Sequence, residues 1–326
     1  MSATVSIGLP VRNGAQYLMR ALDSILSQTF DDFEIIVSDN ASTDDTQRIC
    51  CDYARRDARI RYKRQSKNIG LSANFNYVFE QSKGLYFKWA AHDDELDSRY
   101  LELCVWSLER SPDAVLCHSL LQYIDENGAG IGVYDSALAG TGSEDPVKRF
   151  ASCVLFPHPG YEVMGMFRRE ALVGSLLIGP FHSCDRALVA ELALRGRFLK
   201  IDRPLLLVRD HPERYSRKMF RPKDRLAYHS PRDATRFTMP NWRLYGEYLK
   251  MVPKNLSDTR QRWRCYAALL RWWCYNWNAV RLAIDPVAIA FPNVVKTAEQ
   301  LKQKWISPAP GAGQARRKSR FDNDYL

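Results

Sequence analysis

Short β-rich runs alternate with stretches of helical periodicity along residues 4–89. The runs predict strands at residues 4–9, 33–37, 59–63 and 85–89. Between them, apolar spacing predicts helices at residues 15–28 and 71–81. The capping side chains at 42–45 predict a further helix that ends at about residue 56. Repeated β/α steps of this kind predict an α/β fold, in which a mainly parallel, doubly wound, Rossmann-like sheet is flanked by helices.

The alternation weakens after about residue 105. Residues 125–146 are rich in Gly, Asp and Ser and predict a loop or excursion. Residues 186–196 predict a short amphipathic helix, and two further strands are predicted at 198–201 and 205–208. From about residue 215 the chain becomes basic and rich in tryptophan, and this change is the clearest boundary in the sequence.

Charge is divided unevenly between the two parts of the chain. Residues 1–194 carry 19 Lys and Arg against 26 Asp and Glu, whereas residues 195–326 carry 28 against 11. The overall composition, with 46% hydrophobic and 26% charged residues, is typical of a globular protein. The basic C-terminal part therefore predicts an anionic ligand or surface, which leaves nucleic acid, anionic lipid and diphosphates open.

The eight cysteines include no C-x-x-C pair, and most of them lie in apolar stretches. No apolar stretch reaches the roughly 18 residues that a membrane-spanning helix needs, and the first residues do not have the pattern of a signal peptide. We therefore expect reduced thiols in a cytoplasmic protein and no zinc site.

Polar residues follow three of the predicted strands directly. They are PVRNG at 10–14, SDNAS at 38–42 and AAHDDE at 90–95. Ligands of open α/β sheets bind beyond the carboxyl ends of the strands, so these clusters are expected to meet at one edge. There is no G-x-G-x-x-G after the first strand and no P-loop sequence, which disfavours a dinucleotide or P-loop site.

The adjacent carboxylates Asp93 and Asp94 are the sharpest chemical signal. Two neighbouring carboxylates repel each other unless a cation lies beside them, and oxygen ligands favour Mg²⁺ or Mn²⁺. The alternative is the first turn of a helix, where acidic residues are also favourable. Asp39 is predicted to accept hydrogen bonds from a nucleobase or ribose, or else to form a turn.

The segments VSIGLPVRNGAQYLMRALDSILSQTFDDFEIIVSDNASTDDT, KNIGLSANFN and FKWAAHDDELD resemble, in this order and spacing, the family 2 glycosyltransferases of the GT-A fold. The resemblance is strong over about residues 3–105 and continues more weakly to about 215. It implies a metal-dependent enzyme that moves a sugar, with inversion, from a nucleotide-sugar donor to an acceptor hydroxyl. UDP-sugar is the default donor, a glycan or a lipid-linked glycan the expected acceptor, and bacterial-type surface polysaccharide or glycoconjugate synthesis the expected process.

The resemblance also implies roles for individual residues. Donor binding is expected at Pro10, Val11, Arg12, Asn13, Asp39, Asn68, Gly70, Asn74, His92, Asp93 and Arg209. Metal binding is expected at Asp93, Asp94 and His211, with Mn²⁺ or Mg²⁺ as cofactor. Ala91 departs from the family pattern, since many members have the first Asp of the D-x-D element there.

The catalytic base implied by the resemblance is Asp185, in the segment HSCDRAL at 182–188. A carboxylate there can take the proton of an acceptor hydroxyl as its oxygen attacks the sugar. The alternative for Asp185 is a helix N-cap. Residues 157–161 and 165–168 are expected to shape the acceptor pocket.

These assignments divide the chain into four predicted parts. Residues 1–105 form the donor-binding half and residues 106–215 the acceptor-binding half with the base. Residues 216–308 form a basic, mainly helical region, and residues 309–326 a disordered tail.

Within the basic region, tryptophans and other apolar residues recur at a spacing of three or four. They are Trp263, Tyr266, Leu270, Trp273, Trp277 and Val280, and arginines lie on another face. A helix of this pattern can lie on an anionic membrane surface, here through residues 259–283 at the inner face. Alternatively, it covers the catalytic domain and buries its aromatic stripe in the core.

Three other functions share some of these features. A sugar nucleotidyltransferase would be expected to have a Gly-rich, basic loop after the first strand, which LPVRNG is not. A non-catalytic nucleotide-binding protein of GT-A fold would not need Asp93, Asp94 and Asp185. A nucleic-acid binder is suggested by the basic end but not by the acidic N-terminal part, so no nucleic-acid partner is expected.

Overall fold

The computed structural model describes residues 3–136, 138–214, 222–231, 239–275 and 277–290. Its strands are β1 Val5–Val11, β2 Phe33–Asp39, β3 Ile60–Arg64, β4 Tyr86–Trp89, β5 Glu95–Leu96, β6 Ala114–Ile124, β7 Gly130–Tyr134, β8 Met166–Arg168 and β9 Arg197–Arg209. Its helices are α1 Leu18–Leu26, α2 Thr46–Arg56, α3 Leu71–Glu80, α4 Tyr100–Glu109, α5 Pro146–Leu155, α6 Arg169–Leu172, α7 Cys184–Arg195, α8 Pro222–His229, α9 Pro240–Asn255, α10 Thr259–Trp272 and α11 Asn278–Ala290. The predicted tail at 309–326 lies outside the described residues.

One sheet joins the two halves of the chain. Its strand order is β3-β2-β1-β4-β8-β6-β9-β5, with β7 beside β6. The β3-β2-β1-β4 part is parallel throughout, as the sequence predicts. Beyond β4 the sheet is mixed, because β8 runs antiparallel to both β4 and β6 while β6 and β9 are parallel.

Two buried apolar clusters place helices on both faces of the sheet. Helices α1, α2 and α4 contribute to one cluster, and α3, α5 and α7 to the other. On β1, Val5, Ile7 and Leu9 belong to the first cluster. The other face of β1 carries Gly8, where a Cβ would lie 2.6 Å from Val78 Cγ2, so glycine permits the close approach of α3.

β1 extends two residues further than the sequence predicts. Its pairing with β4 ends at Gly8, opposite Trp89, but its pairing with β2 continues to Val11, opposite Asp39. Pro10 is tolerated inside the strand because the ladder on the β4 side has already ended.

The second half contains elements that the sequence pattern does not separate. The two strands predicted at 198–201 and 205–208 are one strand, β9, whose register against β6 shifts near Pro204. The predicted loop at 125–146 contains the exposed strand β7. Helix α7 is buried along almost its whole length rather than amphipathic, because α5 and α9 cover it.

The C-terminal helices pack onto helices α5 and α7. Helix α9 contacts α7, and α10 contacts α5. Tyr245 and Trp272 stack with ring centroids 5.2 Å apart, and Lys254 Nζ lies 2.8 Å from Glu191 on α7.

The single helix predicted to carry Trp263 through Val280 is two helices in the structure. α10 ends at Trp272, whose carbonyl accepts a hydrogen bond from Asn278 Nδ2 at 2.8 Å. The apolar stripe is divided, since Tyr266 and Trp273 pack against the core. Trp263 and Leu270, by contrast, are each 69% exposed. No helix in the described ranges has the length and apolar character needed to cross a membrane.

Candidate active site

The loops after β1 and β2 are joined by hydrogen bonds. The backbone N–H of Asn13 donates to Ser42 Oγ at 2.9 Å, and that of Thr43 donates to Asn13 Oδ1 at 2.9 Å. Asn13 has a left-handed backbone, with φ of 53°, where asparagine is one of the better tolerated residues. Arg12 is exposed on this loop, whereas Pro10 and Val11 are buried within β1.

The loop after β3 is tied to the same edge through Asn40. Asn40 Nδ2 donates to Asn68 Oδ1 at 2.9 Å, and the backbone N–H of Ile69 donates to Asn40 Oδ1 at 2.8 Å. Gly70 has a φ of +90°, and a Cβ there would lie 2.6 Å from the carbonyl oxygen of His229 at the end of α8. The structure therefore brings Asn68 and Gly70 beside the first two loops.

Two further predicted donor-site residues are buried and have partners in the protein. Asp39 Oδ1 accepts from the N–H of Ser42 at 2.8 Å, and its Oδ2 accepts from Tyr62 at 2.9 Å. Asn74 exchanges hydrogen bonds with Ser38 on β2. Their role in donor binding stays a prediction, but both also hold the strand end in place.

The loop after β4 completes the edge. His92 packs on the first loop, since a Cβ on Gly14 would lie 2.5 Å from its ring. Asp93 Oδ2 lies 3.0 Å from Nε2 of His211, and the backbone N–H of Arg209 donates to Asp94 Oδ1 at 3.0 Å. The three strand-end clusters predicted to converge are thus neighbours.

The two adjacent carboxyls have opposite electrostatic environments. Burial, and then the charge of Asp93, raise the pKa of Asp94 to about 7. Burial also acts to raise the pKa of Asp93, but His92 and the hydrogen bond from His211 outweigh it and hold that pKa below its usual range. Arg214 lowers the pKa of both carboxyls further. Asp93 is therefore the carboxylate that keeps its charge.

Arg209 is buried behind the carboxylates. Its Nε donates to the carbonyl oxygen of Asp93 at 3.1 Å, and its Nη1 donates to the carbonyl oxygen of Asp125 at 2.9 Å. Its Nη2 pairs with Glu95. These hydrogen bonds hold the loop that carries Asp93. The contact of Arg209 with the donor stays a prediction.

Arg214 is a candidate that the sequence did not reveal. Its Nη2 donates to Tyr161 Oη at 3.0 Å, and Tyr123 Oη donates to the same phenol at 3.2 Å. Burial acts to lower the pKa of Arg214, but Tyr161 and the carboxyls of Asp94 and Asp93 outweigh it and raise that pKa. Arg214 is thus a charged guanidinium whose field reaches the carboxylate pair.

Lys88 is a second residue that sequence reasoning missed, although a lysine inside the apolar run LYFKW was a usable signal. It is buried on β4, its ammonium lies 4.5 Å from the ring centroid of Tyr100, and it donates to the carbonyl oxygen of Met164. Burial lowers its pKa to about 8. Lys88 and Asp94 line the same small cavity. The positive charge of Lys88 therefore acts to lower the pKa of Asp94.

Asp185 lies in the first turn of α7, in the half of the chain predicted to bind the acceptor. The N-cap of this helix is Ser183, so Asp185 is not the cap residue. Within the described chain its carboxylate accepts one hydrogen bond, from the backbone N–H of Arg186 at 2.8 Å. Burial raises the pKa of Asp185 above its usual value.

Gly160 and Tyr161 connect the two sides. Gly160 has a φ of +76°, and a Cβ there would lie 2.8 Å from Asp185 Oδ2. The next residue, Tyr161, holds Arg214. One turn of the segment predicted to shape the acceptor pocket therefore touches both Asp185 and Arg214.

Asp93 and His211 offer two of the ligand atoms that a divalent ion would bind. Their facing atoms are 3.0 Å apart, and the other ring nitrogen of His211 is buried without a hydrogen-bond partner in the described structure. A carboxylate and an imidazole suit Mn²⁺ better than Mg²⁺, which prefers oxygen. Among the residues described, no three His, Cys, Asp or Glu side chains form a complete metal site.

A sequence model of the family described as Glycosyl transferase family 2 matches residues 6–172. An uncharacterised glycosyltransferase of Rickettsia typhi is 42% identical over 93 residues, which are 28% of this chain and 28% of that protein. Chondroitin synthase of Escherichia coli is 32% identical over 124 residues, 38% of this chain and 18% of that protein. The matched region thus spans less than a third of each of these two relatives.

Solved glycosyltransferase structures superpose over most of the chain. Residues 1–349 of S. aureus TarS, in complex with UDP-GlcNAc, match with a TM-score of 0.60 at 18% identity, over 83% of this chain and 73% of that one. Mannosyltransferase PcManGT from Pyrobaculum calidifontis, in complex with GDP-Man and Mn²⁺, matches with a TM-score of 0.55 at 15% identity, over 92% and 81%. At these identities the similarity shows the fold, and it confirms the predicted GT-A architecture.

Proposed function

The chain belongs to glycosyl transferase family 2, and we propose that it transfers a sugar from a nucleotide-sugar donor to an acceptor hydroxyl with inversion. The observation that carries the proposal is the turn at Gly160 and Tyr161. It contacts a carboxyl of raised pKa, Asp185, on one side, and on the other it holds Arg214, a cation that acts electrostatically on Asp93. These are the acceptor side and the donor side that the reaction requires.

On the donor side, the strand-end loops would hold the nucleotide. Arg12, Asn13 and the loop around Gly70 surround the edge where the base and ribose of a nucleotide bind in open α/β sheets. Asp39 fixes the second loop from within. Arg214 would bind the diphosphate, because it is the charged guanidinium whose field reaches the carboxylates.

Asp93 and His211 would hold a divalent ion. Asp94 lies next to them and accepts a hydrogen bond from the backbone N–H of Arg209. When bound, the ion would supply positive charge to the departing diphosphate. That Mn²⁺ accompanies GDP-Man in the PcManGT structure supports this assignment.

On the acceptor side, Asp185 would act as the general base. The acceptor oxygen forms its bond to the anomeric carbon while Asp185 takes the hydroxyl proton. The bond from the anomeric carbon to the diphosphate oxygen breaks, and its electron pair leaves with the nucleoside diphosphate. Attack from the face opposite the leaving group inverts the anomeric centre.

Two of the relatives support a donor class and a process. TarS is complexed with UDP-GlcNAc, and a chondroitin synthase is among the sequence relatives, so a UDP-sugar and polysaccharide or glycoconjugate synthesis are the preferred assignment. All eight cysteines are free thiols, which fits the reducing cytoplasm. We further place the enzyme at the inner face of the membrane through residues 259–283, where a lipid-linked glycan would be available.

Transfer and hydrolysis assays with a panel of UDP-, GDP- and dTDP-sugars, with and without Mn²⁺ or Mg²⁺, test this function. We expect one donor class to be turned over, with divalent ion required, and Asp93→Ala and Asp94→Ala to lose that activity. Activity that survives both substitutions would contradict the metal assignment. A folded protein that turns over no nucleotide sugar would contradict the function itself.

A further inference from the structure

Helix α10 is apolar on two faces, and only one of them is covered. Its buried residues are Cys265, Ala268, Leu269 and Trp272, which pack on the acceptor half. Its outward face carries Trp263, Ala267 and Leu270 at positions i, i+4 and i+7, all of them exposed. A helix needs one apolar face to pack, so the second face requires a separate explanation.

Further exposed apolar residues follow past the end of α10. Trp277 is 70% exposed and has a left-handed backbone with φ of 57°, which is unfavourable for a bulky residue. On α11, Val280 and Ile284 follow at i+3 and i+7 and are 45% and 44% exposed. We call Trp263, Leu270, Trp277, Val280 and Ile284 the outward stripe.

Between Asp258 and Asp285, every charged residue of the chain is an arginine. Residues 259–284 contain five arginines and no Asp or Glu. Arg264 is paired with Asp145 at 2.7 Å. Arg260 and Arg271 have exposed side chains that form no ion pair with any described residue. An apolar surface bordered by unpaired arginines matches a partner that is apolar inside and anionic at its surface.

We propose that the outward stripe lies in the interface of an anionic phospholipid bilayer, with Trp263, Leu270 and Trp277 in the headgroup–acyl boundary and Arg260 and Arg271 on phosphate. Tryptophan and arginine are favoured at this depth, because one end of each side chain is apolar and the other polar. A symmetric contact with a second copy fits less well, since it would bring the two sets of arginines together.

This orientation would place the acceptor side near the bilayer. α10 packs on α5, and α9 packs on α7, the helix that carries Asp185. The inference rests on the proposed function in one respect: a lipid-linked acceptor is what such an orientation would serve. Membrane binding itself requires neither donor nor metal.

Flotation of the full chain with vesicles tests the proposal. We expect binding to vesicles that contain phosphatidylglycerol, little binding to phosphatidylcholine alone, and weakening as salt rises. Trp263→Gln, Leu270→Gln and Trp277→Gln together should weaken binding by more than about tenfold. Trp106→Gln is the matched control, because Trp106 is 54% exposed on α4 and belongs to another surface.

A second variant separates charge from apolar contact. Arg260→Gln with Arg271→Gln should weaken binding by about fivefold per arginine and reduce its salt dependence. Because neither side chain is buried, this variant keeps the proposal testable if the triple variant does not fold, which circular dichroism would report.

Unchanged flotation of both variants, or no binding of the wild type to anionic vesicles, would overturn the proposal. So would a wild-type dimer in ultracentrifugation that the triple variant converts to monomer while vesicle binding stays unchanged. Donor turnover is measured on the same samples. A wild type that turns over the donor but does not bind vesicles would contradict only the membrane proposal. A wild type that binds vesicles but turns over no donor would contradict only the proposed function.

Discussion

The proposed donor edge and the proposed acceptor side each hold a partly buried carboxyl, but with opposite surroundings. Asp93 lies among His92, His211 and Arg214, and its pKa is lowered despite burial. Asp185 has one backbone hydrogen bond, and burial raises its pKa. The same side chain is thus prepared to keep a negative charge at one place and to accept a proton at the other.

Pairs of acids whose pKa values are pushed apart reveal a division of roles. A carboxylate held ionised suits a cation and a diphosphate, and a carboxyl of raised pKa suits a general base near neutral pH. The turn at Gly160 and Tyr161 touches both regions. Substitutions on either side of this turn should therefore have different kinetic consequences.

The largest expected effect is that of Asp185→Asn. Turnover should fall by about 10²- to 10⁴-fold, because the acceptor hydroxyl loses its proton acceptor. The Kd of the donor should stay the same, as measured by calorimetry. Asp202→Asn is the matched control, since Asp202 is an exposed carboxylate paired with Lys200 at 3.2 Å. Equal turnover of wild type and Asp185→Asn would remove Asp185 as the base.

Arg214→Ala should reduce turnover by about a hundredfold, because one charged donor to the leaving group is lost. It should also weaken donor binding, which Asp185→Asn does not. Arg214→Lys should restore part of the activity, since it keeps the charge but not the planar donor geometry. Arg203→Ala, at an exposed position of β9, is the control. Unaltered donor affinity in Arg214→Ala would show that the diphosphate binds elsewhere.

Gly160→Ala tests whether the turn positions the base. The new Cβ would lie within 2.8 Å of Asp185 Oδ2, and the φ of +76° is unfavourable for alanine. We expect turnover to fall by about tenfold, since small displacements of a reacting group are costly, with little change in donor affinity. Gly132→Ala, where a Cβ would meet nothing within 4 Å, is the control. A Gly160→Ala enzyme with normal turnover would contradict this coupling.

The pH dependence has a definite sign. Because burial raises the pKa of Asp185, turnover should fall with decreasing pH from a point above the usual aspartate range. A carboxyl of raised pKa contributes stability below its unfolded-state pKa, and that contribution is lost as pH rises through the folded-state pKa. At neutral pH, Asp185→Asn should therefore not lower the melting temperature. A clear decrease would indicate that the ionised carboxylate stabilises the fold.

The donor edge was predictable because its parts are local. Each polar cluster directly follows its strand, so the order of β/α steps was enough to bring Asn13, Asp39 and Asp93 to one edge. Their hydrogen bonds to neighbouring loops were not predictable, because they depend on backbone geometry such as the left-handed Asn13.

The acceptor side was less accessible to sequence reasoning. Arg214 was missed because its position depends on a hydrogen bond with Tyr161, which is 53 residues away in the chain. No sequence spacing indicates that contact.

The Trp-rich segment shows a different limit of sequence reasoning. Its periodicity was clear, but α10 is apolar on two faces, and only packing on α5 shows that Trp263 and Leu270 point outward.

Donor calorimetry on Asp93→Asn and Asp185→Asn, each with Mn²⁺ and with chelator, tests the division of roles most directly. The wild type and Asp185→Asn should both bind the donor more tightly with Mn²⁺, whereas Asp93→Asn should bind weakly and equally in both conditions. Metal-enhanced binding that persists in Asp93→Asn, or that disappears in Asp185→Asn as well, would contradict the account.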